Sequence, residues 1–369
     1  MNKKLIALAV AAASVAPAAM AQTANPVTLY GRIYVMFESV EAKGGASPVA
    51  RRNRVSDQSS LLGVRGTEDL GGGLKAFFQL ETQFKPDQND STFAARNSGV
   101  GLQGGWGSVL LGRWDTPYKT ATTAVDPFGD LTIGGITGIN NDSGTHDRRA
   151  QNVVQYWSPN FAGFAARVSY GANEGKTATV NPEEMAASLT WGKGPIYLFY
   201  AYEKLDDTSS LNAAANTGNF TFTEQEANSV GGSFTMGPVK VGGLYAEYKK
   251  TDRTKKKSYM LNGVWTIAKH QLIYQYQNSE DGGCPVGTVG TAANGCGTGV
   301  VGGHPEANSH TVGYQYNWTK RTFFLAQYVK VDNNNSAGSN YGNFGSNRLT
   351  LTSAGQDPQG FAVGLRHVF

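Results

Sequence analysis

Cysteine is nearly missing from this 369-residue chain, and Cys284 and Cys296 lack the C-x-x-C spacing of a redox or metal pair. Beyond residue 21 no apolar run reaches the roughly eighteen residues that a membrane-spanning helix needs, so a helical membrane protein is excluded. The histidines (His146, His270, His304, His310 and His367) are scattered, and none stands in an H-E-x-x-H or G-x-S-x-G frame. His304 near the cysteines is a single weak ligand. No P-loop or dinucleotide fingerprint occurs. These absences argue against an enzyme, against a cofactor and against a resident metal. The formal net charge is only +4, and it falls to +2 without Lys3 and Lys4, so nothing calls for nucleic acid as a partner. No blade signature recurs at the roughly 40–50-residue period of a β-propeller.

What is present begins with an export signal. Met1-Asn-Lys-Lys4 is a short positive segment, Leu5 to about Val15 is apolar, and Ala19-Met20-Ala21 is a small-residue cleavage site before Gln22. The chain therefore divides into a signal peptide, 1–21, and an exported body, 22–369. Glycine is abundant at 47, and tyrosine and phenylalanine reach 17 each. Overall polarity is compatible with a membrane barrel, where only alternate strand residues meet lipid and the loops meet water.

The body alternates with period two. Val27, Leu29, Ile33, Val35 and Phe37 alternate with Thr28, Tyr30, Arg32, Tyr34 and Glu38. Leu74, Ala76, Phe78, Leu80 and Phe84 alternate with Lys75, Phe77, Gln79, Glu81 and Gln83, and the same pattern recurs over Phe164–Tyr170 and His310–Trp318. Each run is about the 9–11 residues that a tilted strand needs to cross a bilayer. Seven tight turns, near 67–72, 104–107, 158–163, 192–195, 237–238, 268–270 and 317–321, alternate with eight longer loops. The loops fall near 41–54, 85–95, 114–149, 173–183, 206–226, 250–256, 280–307 and 333–357. These connections predict an all-β fold, a 16-stranded antiparallel transmembrane barrel with both ends of the chain on the short-turn side. Trp106, Trp157, Trp191, Trp265 and Trp318 sit at short turns, as an aromatic girdle at one bilayer interface requires. The last run, Phe361 to Phe369, is itself an alternating strand.

Particular segments carry a family likeness. LGVRGTEDLGGGLKAFFQLE from Leu62 to Glu81, GLQGGWGSVLLGR from Gly101 to Arg113, SPNFAGF from Ser158 to Phe164 and GLRHVF from Gly364 to Phe369 resemble general porins of β-proteobacteria. The resemblance implies a homotrimer of sixteen-stranded barrels, each with its own water-filled pore and a third loop folded inward as the constriction. It also implies outer-membrane lipid and lipopolysaccharide as surroundings, and a barrel-assembly machinery that reads the strand ending in Phe369.

Loop 3, about 114–149, carries Asp115, Asp126, Asp130, Asp142 and Asp147; the turn Asp126-Pro-Phe-Gly-Asp130 is expected to bring Asp126 or Asp130 to the channel. Solvated loop acids are the plain alternative. Opposing cations would set up a transverse field that sorts permeants by charge. By the resemblance these are Arg96 and Arg149, which align with eyelet arginines of anion-preferring relatives. Arg149 alternates inward with Gln151 and Gln155. Arg96 shares parity with lipid-facing Val100 and Leu102 and needs a bulge to turn inward. Arg32, Lys75, Arg167, Lys330 and Arg366 fall on polar faces as further pore-lining candidates, partly offset by Glu38 and Glu81. Leu61 departs from the pattern, because anion-selective relatives usually carry arginine before Leu62. Arg51, Arg52 and Arg54 in the first loop partly restore positive potential at the mouth. Cys284 and Cys296, in one loop of an exported protein, form the expected disulfide.

The reading is a general porin that passes small hydrophilic solutes and ions, with a mild anion preference. A substrate-specific channel, or an adhesin or surface antigen whose pore is incidental, are the alternatives.

Overall fold

The computed structural model describes residues 27–369 except 89, 130–131, 137–145, 147, 173, 179–180, 207–223, 251–254, 282–305, 334–348, 350 and 352–354. In chain order the strands are β1 (Thr28–Gly44), β2 (Val49–Asp57), β3 (Leu61–Gly71), β4 (Leu74–Lys85), β5 (Asp90–Thr92), β6 (Ser98–Gly104) and β7 (Gly107–Asp115). A short helix, α1 (Pro117–Thr123), follows. Then come β8 (Arg149–Trp157), β9 (Phe164–Gly171), β10 (Glu183–Lys193), β11 (Ile196–Asp206), β12 (Glu224–Met236) and β13 (Val239–Lys250). The chain continues through β14 (Lys256–Ile267), β15 (His270–Asp281), β16 (Glu306–Asn317), β17 (Thr322–Asn333) and β18 (Gln356–Val368).

All lie in one antiparallel sheet that closes on itself through β1 and β18, from Arg32 opposite Val368 to Gly44 opposite Gln356. β2 and β3 both pair with β1, and β5 and β6 both pair with β4. Each of these pairs is one interrupted stave, so the 18 segments make the expected sixteen staves. The seam is finished by the terminal residue: Phe369 N–H donates to Gly31 O at 3.0 Å, and Gly31 N–H donates to Phe369 O at 3.1 Å. Closure satisfies the strand edges, which an apolar solvent demands of any spanning sheet.

Apolar residues on one face of the staves point away from the axis. Leu29, Ile33, Phe37, Val100, Leu111, Val230, Leu261 and Leu365 are all exposed, with Leu261 60% accessible. A belt of this extent around a whole molecule is a lipid-facing surface. Trp106, Trp191, Trp265 and Trp318 join that face near the short turns, Trp191 packing on outward Phe164 at 6.1 Å between centroids. Trp157 does not. It stacks on lumen-facing Phe77 at 6.2 Å, because its parity on β8 is that of buried Gln155. At the first short turn Gly71, Gly72 and Gly73 all have positive φ (85°, 62° and 81°), a backbone only glycine adopts without strain.

The first long loop differs from expectation. Residues 41–54 mostly continue as strand, leaving only 45–48 as the connection. Cross-strand charges hold the extension: Arg51 meets Glu41 at 2.7 Å, Gln359 donates to Glu41 at 2.5 Å, and Arg54 meets Glu38 at 2.7 Å. Polar alternation above the membrane is stabilised by such pairs rather than by lipid contact.

The lumen is not empty. Two apolar clusters fill part of it, and both are made by loop 3 docking on the inner wall. In one, Tyr118, Ala121, Val125 and Ile136 pack on Phe199, Ala201, Leu244 and Tyr248 of β11–β13. In the other, Phe128 and Ile133 pack against Tyr34, Met36, Ile273 and Leu325. From β7 the described part of the loop runs along β11–β13, and its tip rests against β14–β17 and β1.

Candidate functional site: a charged constriction inside the barrel

Loop 3 starts as a helix for local reasons. Thr116 is the N-cap, its hydroxyl accepting from Lys119 N–H at 3.1 Å, and Pro117 occupies the first turn. Both ends of the loop are then tied to the wall. Thr116 Oγ1 donates to Glu203 at 2.9 Å, Tyr118 and Tyr248 share a hydroxyl bond at 3.2 Å, and Arg148 binds Glu184 and, at 3.5 Å, Glu203. The tip is held by wall amides. Asn262 donates to Val125 O at 2.9 Å, and Gln275 donates to Gly134 O at 2.9 Å. Gly134 lies so close to the wall that a Cβ there would stand 2.4 Å from Thr311 Cγ2.

Asp126 lies at the tip, but its carboxylate serves the loop itself: one oxygen accepts Phe128 N–H at 3.0 Å and the other Ile136 N–H at 2.9 Å. It still borders the lumen, lining with Phe128, Arg32, Lys240 and Arg366 a chamber of about 380 Å³ beneath the loop. Asp130, Asp142, Asp147, His304, Cys284 and Cys296 lie outside the described residues, as does the segment 1–21.

Facing the loop, the wall from β2 to β9 is rich in guanidinium groups. Arg96 turns into the barrel and is largely buried. The break between β5 and β6, with Ala94 at φ 52°, undoes strict alternation and supplies the inward turn that parity denied. Its Nε binds Glu81 at 2.7 Å, and Nη1 reaches Ser59 Oγ at 3.4 Å. Ser59 sits in the gap between β2 and β3. There Asp57 accepts the backbone N–H groups of Ser59 and Ser60 at 3.0 and 2.9 Å, and Ser59 takes φ 68°. The carbonyl freed by that kink accepts Arg32 Nε at 2.8 Å. One interruption of a stave therefore seats two arginines.

Arg149 meets Asp115 at 3.0 Å and donates to Asn97 Oδ1 at 2.7 Å. Its parity with Gln151 and Gln155 does not persist. Asn152 at φ 53° and a register shift between Gly112 and Trp114 put Gln151 on an exposed face while Gln155 is buried. Asp115 also lies 3.9 Å from Lys119. Arg113 donates to Ala95 O at 2.8 Å. Arg167 lies 5.1 Å over the Trp157 ring, and Arg366 lies 5.4 Å over Phe323. Glu38 is fully buried between Arg54 and Gln58, each at 2.7 Å. Lys75 borders the short-turn mouth. Leu61 is buried on the inner face and is paired with Arg32 in the ladder.

Lys330 is a correction. It shares the outward face with exposed Tyr328 and pairs with Asp332 at 2.6 Å, while Val329 and Val331 turn inward. The reason is the lumenal apolar cluster, which includes Val329, Val331 and Leu349 and so reverses the usual polarity at this height. Sequence reasoning also passed over Arg113, Arg148, Glu184, Glu203, Lys240 and the helix α1. Thr116-Pro117 is the available signal for the helix; Arg113 closes the family-like segment Gly101–Arg113 without any mark of its inward placement, and the others stand in no motif. His270, His310 and His367 lie on outward faces, bonded to Tyr314, Tyr274 and Thr322 hydroxyls at 2.8–2.9 Å.

A closed, lipid-belted barrel of sixteen staves whose lumen is narrowed by an inward loop against arginines defines a channel protein of the outer membrane. The chain belongs to the Gram-negative porin family, whose model matches residues 7–336. It is 32% identical over 388 positions to an outer membrane porin protein of Delftia acidovorans, covering all of both chains. It is 35% identical over 217 positions to a major outer membrane protein of Neisseria meningitidis, covering 57% of this chain and 62% of that one. Among solved structures, an anion-selective porin from Comamonas acidovorans superposes with a TM-score of 0.75 at 26% identity, covering 94% of this chain and 100% of that one. The protein is a general diffusion porin of the outer membrane.

Proposed function

We propose that this porin passes small hydrated solutes down their gradients with a mild preference for anions. The observation that carries the reading is an asymmetry of pairing along the wall that runs from β18 through β1 to β9. The carboxylates there, Glu38, Glu81 and Asp115, are each engaged by a cation or an amide. Arg113 instead donates to a backbone carbonyl, and Arg167 and Arg366 lie over aromatic rings. Among the described residues these three form no ion pair, Asp115 being engaged by Arg149, and their positive charge biases the potential along the path. Leu61, in the place of an arginine, limits the bias. The name of the Comamonas relative, an anion-selective porin, agrees with this direction.

The same reading takes the protein to be exported by its first 21 residues, inserted by a machinery that recognises the strand ending in Phe369, and assembled as a homotrimer among lipid and lipopolysaccharide. Cys284 and Cys296 are joined as a disulfide. No catalytic step is involved.

Planar-bilayer recording tests the function directly. Purified protein should insert in triplet conductance steps, and a salt gradient should give a reversal potential of anion-selective sign. A cation-selective sign would overturn the charge assignment. A silent membrane would favour the adhesin reading.

A further inference from the structure

On the short-turn side of the Arg96–Glu81 pair the wall holds a feature that diffusion of hydrated ions does not require. Phe77, Trp114 and Trp157 converge on the lumen, with Trp157 6.2 Å from Phe77 in a near-parallel stack and 5.4 Å from Trp114 at 55°. They line a recess of about 330 Å³ together with Arg65 and Gln79. That volume is at the lower end of small-molecule sites. Arg65 is exposed to the lumen, 5.0 Å over Tyr30, and Arg167 lies 5.1 Å over Trp157. Among the described residues no carboxylate lies within ion-pair reach of either guanidinium.

We propose that this recess binds aromatic carboxylates of the benzoate class. The ring lies against the Phe77–Trp157 stack, where offset or edge contacts between π-systems are favourable, and the carboxylate meets the forked donors of Arg65. Arg167, over the Trp157 ring, adds a second positive charge beside the recess. An apolar ring alone finds no charge partner, and a small anion alone finds no surface, so the site selects molecules that carry both. The inference rests on the channel reading and adds a class of solute to it.

The test uses the full-length porin in planar bilayers with benzoate, cyclohexanecarboxylate, acetate and benzyl alcohol added at equal concentrations. Benzoate should interrupt the ion current in a concentration-dependent way, cyclohexanecarboxylate more weakly, and acetate and benzyl alcohol scarcely at all. Trp157→Ala and Arg65→Gln should each weaken the benzoate effect about tenfold, the loss expected for one stacked ring or one charged contact. Both variants should keep the heat-modifiable migration of the folded barrel. Benzoate no better than acetate, or an unchanged response in Trp157→Ala, would overturn the assignment. Quenching of tryptophan fluorescence by benzoate in detergent provides a second readout that needs no conductance. A silent bilayer with intact quenching would sink the channel reading alone, and conduction without quenching or block would sink the recess alone.

Discussion

Neutralising the two halves of the Arg96–Glu81 pair separately should move ion selectivity in opposite directions. The groups meet at 2.7 Å within the lumen wall, so Glu81→Gln leaves an uncompensated positive charge and Arg96→Gln an uncompensated negative one. A permeant ion passing at about 6 Å in water feels a unit charge by about 0.7 kcal/mol. Salt at 0.1 M, with a Debye length near 10 Å, cuts this to roughly 0.4 kcal/mol. An anion gains what a cation loses, so the permeability ratio should shift by about 0.8 kcal/mol, or roughly fourfold. Glu81→Gln should raise anion over cation permeability, and Arg96→Gln should lower it. Reversal potentials across a salt gradient measure the ratio, and the heat-modifiable band of the folded barrel controls for misassembly. Two shifts of the same sign, or two below about twofold by the same arithmetic, would show that this pair does not face the ion path.

Three further outcomes follow from the same geometry. Leu61→Arg places a cation beside Arg32 on the inner face and should increase anion preference by a similar factor in the same assay, with little change in conductance if the side chain extends along the wall. Gly134→Val forces a side chain into Thr311 and Gln327, where a Cβ would already lie at 2.4 and 3.0 Å; the loop tip should lift from the wall and single-channel conductance should change, with selectivity less affected. Gly31→Val drives a side chain into the ring of Phe369, 2.6 Å from the Cβ position, and should lower the temperature at which the folded band is lost in a heating series.

The sheet was legible because its period is two and one of its solvents is lipid. Leu29, Ile33 and Phe37 against Arg32 and Glu38 leave a single arrangement that puts every greasy side chain outside. The same logic failed where lipid was absent. Residues 41–54 are rich in charge, glycine and small residues and read as loop, while Arg51, Arg54 and Glu41 hold them as a strand extension. Lys330 falls on a polar face by alternation, yet the alternating Val329 and Val331 find their partners in the lumen and turn it outward. Trp157 reads as girdle from its place at a short turn, but tryptophan suits a stack as well as an interface. Arg96 and Arg149 illustrate the limit at the site: likeness points to each, yet the breaks at Ala94 and Asn152 that orient their strands have no signature in a single sequence. Asp126 shows the converse, since a carboxylate beside proline in a turn can be occupied by its own backbone.

Loop 3 is fastened to β11–β17 and β1 by hydrophobic contacts and wall amides, whereas the arginines stand mainly on the opposite arc. Aperture and charge are thereby assigned to different parts of the circumference. Exchanges among Thr311, Gln327 or Leu244 can retune the size limit with the charge pattern left alone, and exchanges at Leu61, Glu81 or Arg113 can retune ionic taste at constant bore. A lineage moving between habitats of differing solutes could adjust either property without surrendering the other.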